Sequence, residues 1–86
     1  MVLHNDAKNG FEFVVASIMK VFRYDALRAF KLTTAAHLKG RSIVWTGQKE
    51  HAELKAEQLK GRGADPAMKA RGAQPLRVTV EPLPGP

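Results

Sequence analysis

Near the start of the chain, in VLHNDAKNGFEFVV (residues 2–15), Asn5 and Asp6 close a short apolar run that turns at once into an amphipathic stretch. A carboxamide oxygen and a carboxylate are hydrogen-bond acceptors, and a neutral imidazole nitrogen, here that of His37, is another. An ammonium group has three donors and no acceptor, so a trio of this kind suits it. The plainer alternative is that Asn5 and Asp6 only shape a turn, as these residue types often do. Acid–base catalysis needs two titratable groups in a shielded cleft, and Asp6 and His37 are the only nearby candidates. No glycine-rich phosphate loop or activated-serine signature accompanies them. His4, His37 and His51 match no zinc-ligand spacing, so neither a metal nor another cofactor is expected. An enzyme is the least supported class.

Eighty-six residues make one small domain with room for a single modest core. The absence of cysteine excludes a disulfide framework and a thiolate metal site. The first residues lack the long apolar region of a signal peptide, and no apolar run reaches the length of a membrane span. A soluble, cytoplasmic domain is therefore expected. The formal charge of +6 invites a nucleic-acid reading, but position matters more than the sum. Lys60, Arg62, Lys69, Arg71 and Arg77 crowd the last third, and no alternation of basic and aromatic residues accompanies them. A solvated basic face is the economical account. A small nucleic-acid-binding domain using the basic loop and last helix stays as a rival of another class.

These groups need elements to position them. Met1 to His4 reads as a short strand. Asn9 has the look of a helix N-cap, with Glu12 at capping-box spacing. Phe11, Val14, Val15, Ile18, Val21 and Phe22 then recur at helical intervals. Asp25 can cap a second helix through ALRAFKLTTAAHLK, with Gly40 its stop. The row Ala26, Ala29, Thr33 and Ala36 is small in volume, which means either close helix packing or space for a guest side chain. SIVWT reads as a strand, and QKEHAELKAEQLK as a charged third helix burying Ala52, Ala56 and Leu59. Residues 61–74, with three glycines and a proline, read as a mobile loop. PLRVTVEP alternates, with Leu76, Val78 and Val80 on one face, and residues 83–86 read as a flexible tail. The order β-α-α-β-α-β makes an α+β two-layer sandwich, a three-stranded antiparallel sheet under three helices, in one domain over residues 1–82.

The ordered set VLHND, FEFVV, AAHLKG, HAELK and PLRVTVEP resembles the ClpS family, adaptors that deliver N-degron substrates to the Clp protease. The resemblance runs through nearly the whole chain, the loop at 61–74 excepted, and implies the same three-helix, three-stranded fold. It implies that Asn5, Asp6 and His37 hold a substrate's free α-amino group. It implies further that His4, Asn9, Phe11, Val14, Thr33, Ala36 and Leu76 form the pocket for a bulky hydrophobic first residue. Glu50 and Lys55 match positions that contact the N-terminal domain of a Clp AAA+ unfoldase of the ClpA or ClpC type. A non-enzymatic, monomeric adaptor is implied, with no cofactor and no membrane partner.

Departures from the family pattern sharpen the expectations. Ala7 stands where the family has a second acidic residue and Lys8 follows it, which implies a weaker grip on an amine unless Lys8 points into solvent. Thr33 and Ala36 replace larger apolar residues and Phe11 a common methionine, which suggests a deeper pocket open to bulky aromatic or β-branched first residues. Trp45 is either a partner contact or core, with core favoured. The family carries a flexible N-terminal extension used in delivery, and this sequence starts virtually at the first strand. A trimmed sequence, another mode of delivery and a binding-only relative all stay open, as does a degenerate module that binds the unfoldase without recognising N-degrons.

Overall fold

Val2–His4 form β1, the middle strand of a three-stranded antiparallel sheet ordered β2-β1-β3, in a computed structural model that describes residues 1–6 and 8–82. Met1, Val2 and Leu3 are all buried, so β1 is a continuous apolar run rather than an alternating one, as fits a central strand. β2 (Arg41–Ile43) pairs with it through Val2↔Ile43 and His4↔Arg41. β3 (Val78–Thr79) pairs along the other edge through Leu3↔Val78. The helices are α1 (Phe11–Phe22), α2 (Ala26–Lys39) and α3 (Lys49–Gly61), in the order β1-α1-α2-β2-α3-β3. This is the α+β fold expected from the sequence.

The core forms where the inner face of the sheet meets the helices. Leu3, Ile18, Val44, Leu59 and Leu76 are its largest fully buried apolar side chains. α3 buries Ala52, Ala56 and Leu59, as its spacing requires. The apolar row of α1 divides: Val14 and Ile18 are buried, Val15, Val21 and Phe22 are half-buried, and Phe11 is exposed. Trp45 is half-buried and packs on the core, and it crowds Gly47, where any added Cβ would collide with the indole. Among the described residues no helix is long and apolar enough to cross a membrane.

Several boundaries differ from the sequence expectation. Gly10, not Asn9, is the N-cap of α1, because the Asn9 side chain is committed elsewhere. The strand expected over SIVWT begins at Arg41 and stops at Ile43, leaving Val44, Trp45 and Thr46 outside it. Only Val78 and Thr79 of PLRVTVEP are strand, although the His4 N–H still reaches the Arg77 carbonyl at 3.0 Å. Ala26, at the first position of α2, is exposed, so the small row that faces inward is Ala29, Thr33 and Ala36. A short 3-10 turn (Lys69–Arg71) lies within residues 61–74. The tail at 83–86 lies outside the described residues.

The end of α2 brings the two layers together. Asp25 caps the start of this helix by accepting from the Arg28 N–H at 2.8 Å. Gly40 ends it in a left-handed conformation, φ +87°, and returns its N–H to the Ala36 carbonyl at 2.9 Å. That turn aims the Gly40 carbonyl at β1, where it accepts from the Asn5 N–H at 2.9 Å. An added Cβ at Gly40 meets no atom within 4 Å, so a substitution there carries only backbone strain. Gly40→Ala is expected to lower stability by about 1–2 kcal/mol, the cost of a left-handed non-glycine residue, measured by urea unfolding.

Candidate functional site

The bond from Asn5 to Gly40 sets the end of β1 against the last turn of α2, which carries His37. Between them and the start of α1 opens a cavity of about 340 Å³. Asn5, Asp6 and His37, the three acceptors singled out in the sequence, all border it. So do His4, Asn9, Phe11, Val14, Thr33, Ala36 and Leu76, every position matched to a family pocket residue. Leu3 and Gly10 border it as well and were not anticipated. Glu50 and Lys55 lie on α3 and do not.

The walls are apolar and the rim is polar. Val14, Ala36 and Leu76 are buried, and Thr33 spends its hydroxyl proton on the Ala29 carbonyl at 2.8 Å, leaving its methyl as the remaining surface. Asn5 and His37 are exposed, and among the described residues neither side chain has a hydrogen-bond partner. Asp6 is partly committed. One carboxylate oxygen accepts from the Lys8 N–H at 2.8 Å and the other from the Asn9 carboxamide. A carboxylate offers about four acceptor sites, so it retains capacity for a ligand. Lys8 is exposed with its ammonium against Gly72, and it does not border the cavity.

Asn9 turns out to be a junction rather than a helix cap. Its amide donates to Asp6 and to the Gln74 carbonyl at 2.8 Å, while its oxygen accepts from the Asp65 N–H at 2.8 Å. Only 6% of Asn9 is exposed, so these bonds satisfy a carboxamide that water cannot reach. Asp65 in turn accepts from the Gly10 N–H at 3.0 Å, supplying from the 61–74 segment the cap that α1 lacks locally. Gly10 is needed for that approach, since a Cβ there would stand 2.7 Å from the Asp65 carboxylate. No sequence signal marks Asp65 or Gln74 for this role, since Asp65-Pro66 reads as an ordinary turn.

His4 borders the cavity while its Nε2 lies 2.8 Å from the Thr79 hydroxyl. That hydroxyl gives its single proton to Glu81 at 2.6 Å, so Nε2 must be the donor to it. Arg41 holds the other Glu81 oxygen at 2.7 Å. A second cavity, about 480 Å³, is lined by Glu81 together with Met1, Thr46, Lys49, Ala52 and Val80. Among the described residues no group of three or more His, Cys, Asp or Glu could hold a metal ion.

An antiparallel sheet under three helices, with a small apolar cavity rimmed by acceptors at one end, defines a two-layer α+β domain with one candidate site. The family described as ATP-dependent Clp protease adaptor protein ClpS matches residues 1–79, and the chain belongs to that family. The ATP-dependent Clp protease adapter protein ClpS of Thermosynechococcus vestitus is 42% identical over 60 residues, 69% of this chain and 64% of that protein. The adapter of Salmonella arizonae is 37% identical over 59 residues, covering 69% of this chain and 56% of the relative. That of Lawsonia intracellularis is 34% identical over 82 residues, 94% of this chain and 69% of the relative. The chain thus spans between 56% and 65% of the length of the first curated relatives it matches. These relatives are named as adapters and not as enzymes.

The Thr79 hydroxyl first, and Arg41 second, hold the Glu81 carboxyl below its ordinary 4.5. A carboxyl whose value is lowered by folding adds stability above the unfolded value and loses it as pH falls through the folded one. Glu81→Gln is therefore expected to reduce the loss of stability as pH falls from neutral to below 4.5, measured by urea midpoints across that range.

Proposed function

We propose that the chain is a non-enzymatic adaptor that binds the free α-amino group and bulky hydrophobic first residue of N-degron substrates and passes them to an ATP-dependent Clp protease through its AAA+ unfoldase. One observation carries this reading. Asn5 and Asp6 from one segment and His37 from another rim a single apolar cavity, and two of the three are acceptors without a partner among the described residues. A volume of about 340 Å³ is at the lower end of ligand pockets, about 300–1,000 Å³, and suits one side chain with its amine.

The two halves of such a site do different work. Burying a large apolar side chain contributes about 1.5–3 kcal/mol but does not distinguish a chain end from an internal residue. An acetylated terminus offers a single N–H where three donors are wanted, and each acceptor left dry costs about 1–3 kcal/mol. The polar rim would specify the terminus and the cavity would specify the residue, a recognised mode of peptide capture. Lys8, turned toward Gly72, leaves the rim free of a competing cation. On α3, Glu50 is exposed, and the Lys55 ammonium lies over the rings of Phe22 and Trp45 at 5.7 and 5.6 Å. A cation held over two aromatic faces is a defined feature for the unfoldase's N-terminal domain to engage.

A second reading, a module that binds the unfoldase without reading N-degrons, draws on the state of Asp6. Both of its oxygens already accept from Lys8 and Asn9, and Ala7 supplies no second charge. Fluorescence anisotropy with a free Phe-terminal peptide and its acetylated twin separates the two. Amine capture expects the acetylated peptide to bind at least about tenfold more weakly, the equivalent of one lost charged hydrogen bond. Equal affinities favour the second reading. His37→Ala is expected to weaken the free peptide while leaving the urea midpoint nearly unchanged, because the ring is exposed. Ala36→Met, which fills a buried wall of the cavity, is expected to abolish binding at a stability cost of about 1–3 kcal/mol, with the fold retained by circular dichroism.

A further inference from the structure

We infer that Phe30, which does not border the cavity, positions Phe11 and thereby sets which first residues the cavity accepts; the inference rests on the amine-capture reading above. Phe11 opens α1 and Phe30 sits on α2, and their rings meet edge to face with centroids 5.3 Å apart and planes at 69°. This pair is not core: Phe11 is 37% exposed and Phe30 is 52% exposed. Aromatic rings in that geometry attract one another beyond the area they bury.

Discrimination in a cavity with these walls is one of size and shape, so the wall that can move decides it. Leu3, Val14 and Leu76 are buried, and shifting them means repacking the core. His4 and Asn9 are held by hydrogen bonds to Thr79 and to Asp6 and Gln74. Among the described residues, Phe11 is the one large apolar side chain on the cavity that is not buried, and its aromatic partner is Phe30 across the helix pair. The Phe30 ring draws Phe11 toward α2 and keeps the cavity entrance wide. With that ring removed, Phe11, which already borders the cavity, can turn into its apolar space. Turning inward would narrow the space and penalise large planar side chains before smaller branched ones.

The test uses the full chain as wild type, Phe30→Ala and Phe30→Tyr, titrated by fluorescence anisotropy with peptides identical except for a first residue of Leu, Phe or Trp. Each peptide is paired with its acetylated twin, and the Phe11 ring protons are followed by NMR in the free protein. Phe30→Ala is expected to weaken the Phe and Trp peptides by about fivefold and the Leu peptide by less than about twofold, with the Phe11 resonances displaced. Phe30→Tyr, which keeps the edge-to-face pair, is expected to retain the wild-type ratios. Unchanged ratios in Phe30→Ala, with the free amine still required, overturn this inference alone. Ratios that move equally in Phe30→Tyr overturn it too. Equal wild-type affinity for free and acetylated peptides overturns the amine reading and this inference with it. Should Phe30→Ala fail to fold, Phe30→Leu removes the ring and keeps apolar bulk for the same comparison.

Discussion

A single backbone hydrogen bond, from the Asn5 N–H to the Gly40 carbonyl, joins the two parts of the candidate site. Asn5 and Asp6 follow the end of a strand, and His37 belongs to the last turn of a helix more than thirty residues later in the chain. They share a rim because α2 stops at a residue able to adopt φ +87°, which turns the carbonyl toward β1 while the following residues enter β2. The same turn serves both layers: it ends the helix and starts the strand that pairs with β1. Glycine is the residue that makes it without steric cost.

The second constraint is polar and buried. Asn9, Asp6, Asp65 and the Gln74 carbonyl form a closed set of partners at the start of α1, with the Gly10 N–H included. Such a network is worth keeping only when every member is satisfied, since a dry unpaired amide is costly. Its presence ties the segment at 61–74 to the cavity's edge, although none of that segment's residues borders the cavity itself. It also consumes part of Asp6's accepting capacity, so the arrangement that stabilises the rim competes with the ligand the rim is proposed to hold. On the proposed reading, that competition weakens the hold on an amine and leaves much of the discrimination to the cavity.

The cavity owes its existence to small residues on α2. Ala29 packs fully into the core, while Thr33 and Ala36, one and two turns further on, border the cavity. Of the two meanings open to this row in the sequence, close packing holds at Ala29, while Thr33 and Ala36 line a cavity. On α3, half-buried Lys55 sets its ammonium over the faces of Phe22 and Trp45.

Much of this is legible in the sequence alone. Helical spacing marks Ile18, Ala29, Ala52 and Leu59 as inward-facing, Asp25 and Gly40 mark the ends of α2, and the ordered motifs resembling the ClpS family name the residues that border the cavity. Local chemistry of that kind is written in the chain because caps, turns and amphipathic periods depend on near neighbours. Tertiary structure alone decided that Asn9 bonds Asp65 instead of capping its own helix, that Ala26 stays in solvent, and that Phe11 rests on Phe30. The outcomes at Asn9 and Phe11 depend on a partner far along the chain, and no spacing between neighbours encodes which distant group will arrive.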